Sequence, residues 1–143
     1  GITLQAELTR LVDEDTEAFN KIVEAYKLPQ KTDEEKETRD QAIQEATRNA
    51  IMVPYRIMET SYDALEVIEA MVQNGNPNSV TDAGVGVLAV RSAVKGAFLN
   101  ARINSRDLKD KDFVTTVIRE GKEIERKTEE KEKEILKMLE ERI

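Results

Sequence analysis

The chain has 143 residues, enough for one domain with a core of useful size, and its formal net charge is −7. It contains no histidine, cysteine or tryptophan. These absences exclude a thiolate nucleophile, a disulfide framework, a Cys/His zinc site and imidazole acid–base catalysis. Any chemistry must be done by carboxylates, lysine, arginine, tyrosine, hydroxyls, amides or backbone dipoles, and a metal site made only of carboxylates stays open.

The composition also predicts the class of protein. Charged residues make up 36% of the chain while glycine, proline and aromatic residues are few, a mixture that favours long helices. The acidic balance argues against a nucleic-acid partner, and no apolar run approaches the roughly 20 residues that span a bilayer. We therefore expect a soluble, cytoplasmic protein with no signal peptide and no membrane partner.

The first predicted helix covers residues 3–27. Its apolar residues recur at every third or fourth position, which predicts a face directed at the core. They are Leu4, Leu8, Leu11, Val12, Phe19, Ile22, Val23 and Tyr26. Asp15 interrupts this face, so we predict that its carboxylate is buried, either as a functional group or as the partner of an arginine.

The second predicted helix begins after a proline-containing break, where Thr32 and Glu35 form a capping box. Its apolar pattern continues to Met71, and Pro54 is expected to kink the helix or to split it in two. The cluster of asparagine, glycine and proline over 74–78 then predicts a loop.

The third predicted helix runs from Ser79 to about Asn104 and is rich in small residues. Gly84, Gly86 and Gly96 lie inside it, and each costs the helix about 1 kcal/mol against alanine. That cost makes sense where another backbone or a flat ligand comes close, and tight packing between helices is the simpler explanation.

One face of this helix is basic. It carries Arg91, Lys95, Arg102 and Arg106, in a stretch that contains no acidic residue. A basic stripe on an acidic protein indicates either an anionic ligand or ion pairs with the acidic first half of the chain.

The opposite face is small, with Asp82 at its start and the amides of Asn100 and Asn104 at its end. The segment from Ser79 to Asp82 also has the pattern of a helix cap, so Asp82 is a functional carboxylate, a capping residue or both. The amides are either site residues or helix-packing groups. Asp82 and Asn104 are about 33 Å apart at roughly 1.5 Å per residue, so they serve two ends of a long ligand or are combined by two subunits in an antiparallel dimer.

A connection over 106–110 leads to the last predicted helix, which runs from about Lys111 to the end. Of the 16 residues in 119–134, 13 are charged, which predicts a solvated helix that projects from the body. The predicted fold class is all-α, an antiparallel bundle of four to five helices.

Several segments, taken in order, resemble the cyclodeaminase/cyclohydrolase family of folate enzymes, which is the C-terminal domain of formiminotransferase-cyclodeaminase and also a free-standing protein. The most specific segment is 75–85, and the others are 11–19, 25–29, 53–54, 96–100 and 103–104. The resemblance covers about residues 8–115. The chain lacks the glycine-rich segment with which the family begins. We therefore expect a single helical domain, 1–143, that is N-terminally incomplete.

The resemblance implies an enzyme that converts 5-formiminotetrahydrofolate to 5,10-methenyltetrahydrofolate and ammonia, in one-carbon metabolism and histidine degradation. The alternatives are a methenyltetrahydrofolate cyclohydrolase and, in another class, a non-catalytic helical interaction protein. The family implies no metal and no cofactor beyond the folate substrate. It also implies a homodimer or an assembly of dimers, with or without a formiminotransferase domain or partner.

The implied roles follow the chemistry of that reaction. Asp82 and Asp15 are the predicted catalytic residues, since a base must take the N10 proton of the folate and an acid must protonate the departing ammonia. The small-residue face admits the flat pterin ring, and the basic stripe is expected to bind the anionic glutamate tail. The predicted substrate-binding residues are Arg91, Lys95, Arg102, Arg106, Asn100, Asn104 and Lys27.

Overall fold

The computed structural model describes the backbone of residues 2–143 and the side chains from residue 5 onward, so the side chain of Leu4 lies outside the described residues. Within this range the chain forms four α-helices and a single turn of 3-10 helix at Ser105–Asp107, with no strand. The helices are α1 (Ile2–Tyr26), α2 (Asp33–Asn74), α3 (Pro77–Asn104) and α4 (Lys111–Glu140). The all-α prediction is confirmed.

Helices that follow one another in sequence pack antiparallel. Near the end of α3, the Asn104 side chain donates to the carbonyl of Ala50 at 2.9 Å. Near the start of α3, Gly86 lies against Ile68, further along α2. Later residues of α3 thus meet earlier residues of α2, as short connections between helices require.

The main core lies between α2, α3 and α4. Met58, Leu65, Val87, Val94 and Ile135 are each no more than 1% exposed there. Burying one such side chain stabilises the fold by about 1.5–3 kcal/mol relative to leaving it exposed. A smaller cluster of Ala18 with Ala50 and Val53 attaches α1 to α2.

The predicted core face of α1 is only partly correct. Leu11 is fully buried, but Phe19 is 64% exposed and Tyr26 is 50% exposed. The small residues Ala18 and Ala25 face α2 instead, because alanine allows the two helices to approach closely. Val12, Phe19 and Tyr26 are therefore left on the outer surface.

The start of α2 agrees with the sequence prediction, and the start of α3 does not. Thr32 caps α2, accepting a hydrogen bond from the Glu35 amide at 3.1 Å. The prediction that α3 starts at Ser79 is wrong. α3 begins two residues earlier, with Pro77 in its first turn and the side chain of Asn76 as the cap. Asp82 is consequently the sixth residue of the helix and does not cap it.

Pro54 does not split α2, which continues as one helix through this position. Pro54 and its neighbour Val53 are buried, so packing against the adjacent helices holds the segment where one backbone hydrogen bond is lost. Over the part of the chain that the structure describes, no helix is both long and apolar enough to cross a membrane.

The prediction that α4 projects from the body is wrong. Thr128 and Ile135 are fully buried, and α4 packs on both α2 and α3. The approach to α3 depends on Gly121, where an added Cβ would lie 2.6 Å from the ring of Phe98. The charged residues of α4 are solvated on one side only, and its sparse apolar residues are sufficient to bury the other side.

Candidate functional site

α1 and α3 border a groove of about 280 Å³ in which Asp15 lies. The amide nitrogen of Asn100 donates to both carboxylate oxygens of Asp15, at 3.3 and 3.4 Å. Asn104 in turn donates to the side-chain oxygen of Asn100 at 3.2 Å and to the carbonyl of Ala50 at 2.9 Å. A backbone carbonyl thus orients one amide, and that amide orients the next one toward the carboxylate. The groove is also lined by Thr16, Phe19 and Ile22.

Asp15 is half-buried, and this burial raises the pKa of its carboxyl, while the hydrogen bond from Asn100 lowers that pKa in part. The prediction that Asp15 is buried is therefore correct only in part. The alternative of an arginine partner is wrong, since no described arginine or lysine lies within 4 Å of this carboxylate. A carboxylate that is held by a neutral amide and faces a groove remains able to accept and release a proton.

Asp82 lies elsewhere on α3. It is exposed, and 18 residues of helix, about 27 Å, separate it from Asn100. No cationic side chain among the described residues lies within 4 Å of it. Within one chain the structure therefore does not bring the two predicted catalytic carboxylates together, and the role of Asp82 stays a prediction.

Arg91, the first residue of the basic stripe, makes ion pairs with α4. Its guanidinium lies 2.7 Å from Glu129 and 3.7 Å from Glu132. The sequence predicted either an anionic ligand or ion pairs for this stripe, and Arg91 does form ion pairs. The predicted partner was the acidic first half of the chain, and this is wrong because both carboxylates belong to α4. Arg91 is thus occupied in holding α4 on α3.

The other three basic residues of the stripe are exposed. Arg102 lies over the ring of Phe98, at 5.5 Å from its centroid, while Lys95 and Arg106 extend into solvent. The stripe faces the α4 side of α3 and Asn100 faces α1, so the structure does not place the stripe in the groove. Lys27 is exposed just beyond the end of α1 and does not line the groove either.

A second polar groove, of about 300 Å³, lies between α2 and α4. Tyr55 donates from its hydroxyl to Glu120 at 2.9 Å, and burial with this contact raises its pKa to about 12. Burial, and then the nearby charges of Asp63 and Glu120, raise the pKa of Glu59. Sequence reasoning omitted Glu59 because it shares a polar face with Asp63. Only the packing of α4 on α2 brings Glu120 to it, and no pattern in the sequence signals that.

The described residues contain no group of three or more carboxylates placed to hold a metal ion. The two grooves differ in the charged and polar side chains that line them. The α1–α3 groove presents one carboxylate among amides, while the α2–α4 groove presents four acids together with two tyrosines and Lys127. Three of the predicted site residues meet in the α1–α3 groove: Asp15, Asn100 and Asn104.

Comparison with known proteins adds a family match. A family model described as formiminotransferase-cyclodeaminase matches residues 2–123. Among solved structures, a formiminotetrahydrofolate cyclodeaminase from Thermotoga maritima superposes with a TM-score of 0.81 at 25% sequence identity. The superposition covers 96% of this chain and 65% of that chain, so the whole four-helix arrangement has a counterpart there.

Two curated relatives carry different activities in their names. A methenyltetrahydrofolate cyclohydrolase of Methylorubrum extorquens is 36% identical over 117 residues, which are 82% of this chain and 56% of that protein. A formimidoyltransferase-cyclodeaminase of Mus musculus is 38% identical over 108 residues, which are 76% of this chain and 20% of that protein. The chain thus spans about half the length of the bacterial relative and a fifth of the mouse relative.

Proposed function

Because the chain belongs to the formiminotransferase-cyclodeaminase family, we propose that it acts on a tetrahydrofolate derivative in the groove that holds Asp15. The observation that carries this proposal is the hydrogen-bonded pair of Asp15 and Asn100. The pair offers a proton acceptor at the wall of an open groove, fixed in orientation but not neutralised by a cation. A reaction that moves a proton between two nitrogen atoms of one substrate needs such a group.

The reaction we favour is ring closure with loss of ammonia. N10 of the folate attacks the formimino carbon and forms a carbon–nitrogen bond, and its proton passes to the Asp15 carboxylate. The carboxylate returns this proton to the formimino nitrogen, a second proton comes from the medium, and the bond to that nitrogen breaks. The products are the 5,10-methenyl cation and ammonia, so the step takes up one proton overall.

The groove supports this role in two ways. Burial raises the pKa of Asp15, which makes the ionised carboxylate a stronger base than an exposed one. Asn100 and Asn104 form a fixed chain of amides beside it, and such amides can hydrogen-bond the edge of a pterin ring. Phe19 provides an apolar wall for the flat face of that ring.

The anionic glutamate tail of the substrate needs a cationic partner on the protein. Arg91 is held by two carboxylates of α4, so we propose Arg106 as the cation for the tail. Arg106 is exposed and follows Asn104 by two residues, at the same end of α3 as the groove. Lys95, Arg102 and Lys27 are further from this end or on other sides, and we expect smaller contributions from them.

Cyclohydrolase activity is the second candidate, and the identity to the bacterial cyclohydrolase favours it. In that reaction a base directs water at the methenyl carbon, and Asp15 serves equally well as the base. The same groove serves either reaction in this proposal, because both substrates carry the pterin ring and the product of ring closure is the substrate of the hydrolysis.

An assay with both substrates tests the proposal. Methenyltetrahydrofolate absorbs in the near ultraviolet, so ring closure raises the absorbance and releases ammonia, while hydrolysis lowers the absorbance without ammonia. The Asp15→Asn variant provides the blank for spontaneous reaction. If the chain neither binds nor converts either folate, the proposed function is wrong, and a non-catalytic helical interaction protein becomes the better description.

A further inference from the structure

Pro54 lies in the interior of α2, where it interrupts the ladder of backbone hydrogen bonds. In an α-helix each amide N–H donates to the carbonyl four residues earlier, and proline has no N–H. The carbonyl of Ala50 therefore loses its helical donor. The ring of Pro54 also presses against this carbonyl, which pushes the oxygen outward from the axis of α2.

The carbonyl that Pro54 releases is buried and needs another donor. Ala50 is 3% exposed and its neighbour Ile51 is fully buried, so little of this backbone is open to water. A buried carbonyl without a hydrogen bond is costly in free energy. The side chain of Asn104, from α3, donates to this oxygen at 2.9 Å. α3 thus supplies the donor that proline removes from α2.

A contact of this kind occurs at one position among the described residues. The other side chains that donate to a carbonyl in the middle of a helix are threonines, such as Thr47 and Thr128. Each bonds to the carbonyl four residues earlier in its own helix, which keeps its amide donor as well. A side chain from a neighbouring helix reaches a mid-helix carbonyl at Ala50, which is the position that Pro54 leaves without a donor.

The carbonyl of Ala50 sets the polarity of the amides beside it, because a carbonyl oxygen accepts hydrogen bonds and cannot donate one. It directs the nitrogen of Asn104 toward α2, and that nitrogen also donates to the side-chain oxygen of Asn100 at 3.2 Å. With its oxygen engaged, Asn100 presents its own nitrogen to Asp15. Reversed amides would set the oxygen of Asn100 against the carboxylate, which repels it.

We propose that Pro54 is a positioning residue for the groove, because it leaves the Ala50 carbonyl to hold Asn104. Through Asn104 it sets the direction of the Asn100 amide, and that amide orients Asp15. Pro54 is buried in α2 and does not line the groove, so it acts through these side chains and not by touching a ligand. Its part in turnover rests on the proposed function, and its part in the hydrogen-bond chain does not.

A double-mutant cycle tests the hydrogen-bond chain without any folate. In the wild-type chain Asn104→Ala leaves the Ala50 carbonyl without a donor, so we expect the equilibrium constant of unfolding to rise about tenfold. In a Pro54→Ala background the alanine N–H bonds to this carbonyl. The same substitution at Asn104 should then raise the constant less than about threefold, as urea unfolding of the four chains will measure.

A second variant and a control separate the backbone hydrogen bond from side-chain packing. Pro54→Val restores the same N–H but fills the buried space that Pro54→Ala empties, so both backgrounds should weaken the effect of Asn104→Ala equally. Asn20→Ala, on the exposed side of α1, should have the same effect with proline, alanine or valine at position 54. If Asn104→Ala costs as much with alanine and valine there as with proline, the proposal is overturned.

The titration of Asp15 tests the positioning role itself. In Pro54→Ala the Ala50 carbonyl regains its helical donor, so Asn104 holds the Asn100 amide less firmly. That amide lowers the pKa of Asp15, and the pKa should therefore rise when the amide is loosened, as carbon NMR of the carboxyl group will show. Pro29→Ala, in the exposed connection before α2, is the control and should leave this pKa unchanged. An unchanged pKa in Pro54→Ala overturns the positioning role.

Kinetics distinguish this inference from the proposed function. With a folate substrate, Pro54→Ala should lower kcat at least about threefold with a smaller change in KM, and the acid limb of its pH profile should move to higher pH. A wild-type chain that converts no folate overturns the proposed function, while the stability cycle and the titration still decide the hydrogen-bond chain. An active wild-type chain whose kcat and pH profile are unchanged in Pro54→Ala overturns the part of Pro54 in turnover and leaves the function.

Discussion

Asn100 holds both carboxylate oxygens of Asp15 across the interface of two helices, although 85 positions separate the two residues in the chain. The amide fixes the direction of the carboxylate without supplying a positive charge. Burial therefore outweighs hydrogen bonding, and the pKa of Asp15 is raised. This relationship underlies the predictions that concern turnover.

Substitution of Asp15 by asparagine should separate activity from stability. Loss of the proton acceptor should lower turnover at least about 100-fold. A raised pKa means that the folded state binds the proton more tightly than the unfolded state, so the stability contributed by this carboxyl falls as pH rises through its folded pKa. Asp15→Asn should therefore melt at the same or a slightly higher temperature at pH 7. Wild-type turnover in a folded variant would contradict the role of Asp15.

A second carboxylate placed beside Asp15 should make the free energy of unfolding depend on pH. In Asn100→Asp the new side chain replaces the amide that stabilises the Asp15 anion, and two like charges then share the site. The variant should lose free energy of unfolding at pH 8 and recover much of it at pH 5, where the pair takes up a proton. Urea unfolding at both values checks this result. Asn20→Asp, on the exposed side of α1, is the control and should show no such recovery.

The correct assignment of the α3 cap gives a paired prediction. Asn76→Ala removes the side chain that accepts from the amides of Asn78 and Ser79, and it should destabilise the fold by about 1 kcal/mol. Asp82→Asn should leave the free energy of unfolding nearly unchanged, because Asp82 caps nothing, and should abolish turnover. Chemical unfolding together with the folate assay checks both variants. If Asp82→Asn is destabilising by as much as Asn76→Ala, our account of the helix start is wrong.

The ion pairs of Arg91 should matter more than those on the open surface. Arg91→Met keeps the apolar stem but leaves Glu129 and Glu132 facing each other without a cation, and we expect a loss of about 1–2 kcal/mol. Arg126→Met removes ion pairs of similar length that lie within α4 and are more exposed, so it should cost less than about 0.5 kcal/mol. Equal losses in urea unfolding would show that Arg91 does not secure α4.

The sequence was sufficient to predict the four helices and the partial burial of Asp15, because both depend on local periodicity. It was not sufficient for the partner of Asp15, since Asn100 reaches it only after α1 and α3 have both packed on α2. The same limit explains Arg91 and Tyr55, whose partners belong to α4. Phe19 shows a different limit: an apolar stripe predicts a face that packs on the core without saying which of its residues meet the neighbouring helix.

The start of α3 was predictable in principle. Asparagine followed by proline is a strong signal for a cap and a first helical residue, and both Asn76 and Pro77 lie in the segment interpreted as a loop. The segment from Ser79 to Asp82 also has the pattern of a cap, three residues after Asn76, and this pattern predicted the wrong helix start. That wrong start made Asp82 a candidate capping residue, whereas in the structure Asp82 lies in the second turn of α3 and Asn76 is the cap.

The turnover of the Asp15→Asn variant tests the central claim most directly, namely that a folate is processed in the groove where Asn100 orients Asp15. In this account the wild-type chain converts a tetrahydrofolate derivative, while the variant keeps its helix content and turns over at least about 100-fold more slowly. A folded Asp15→Asn variant that is as active as the wild-type chain would contradict the account.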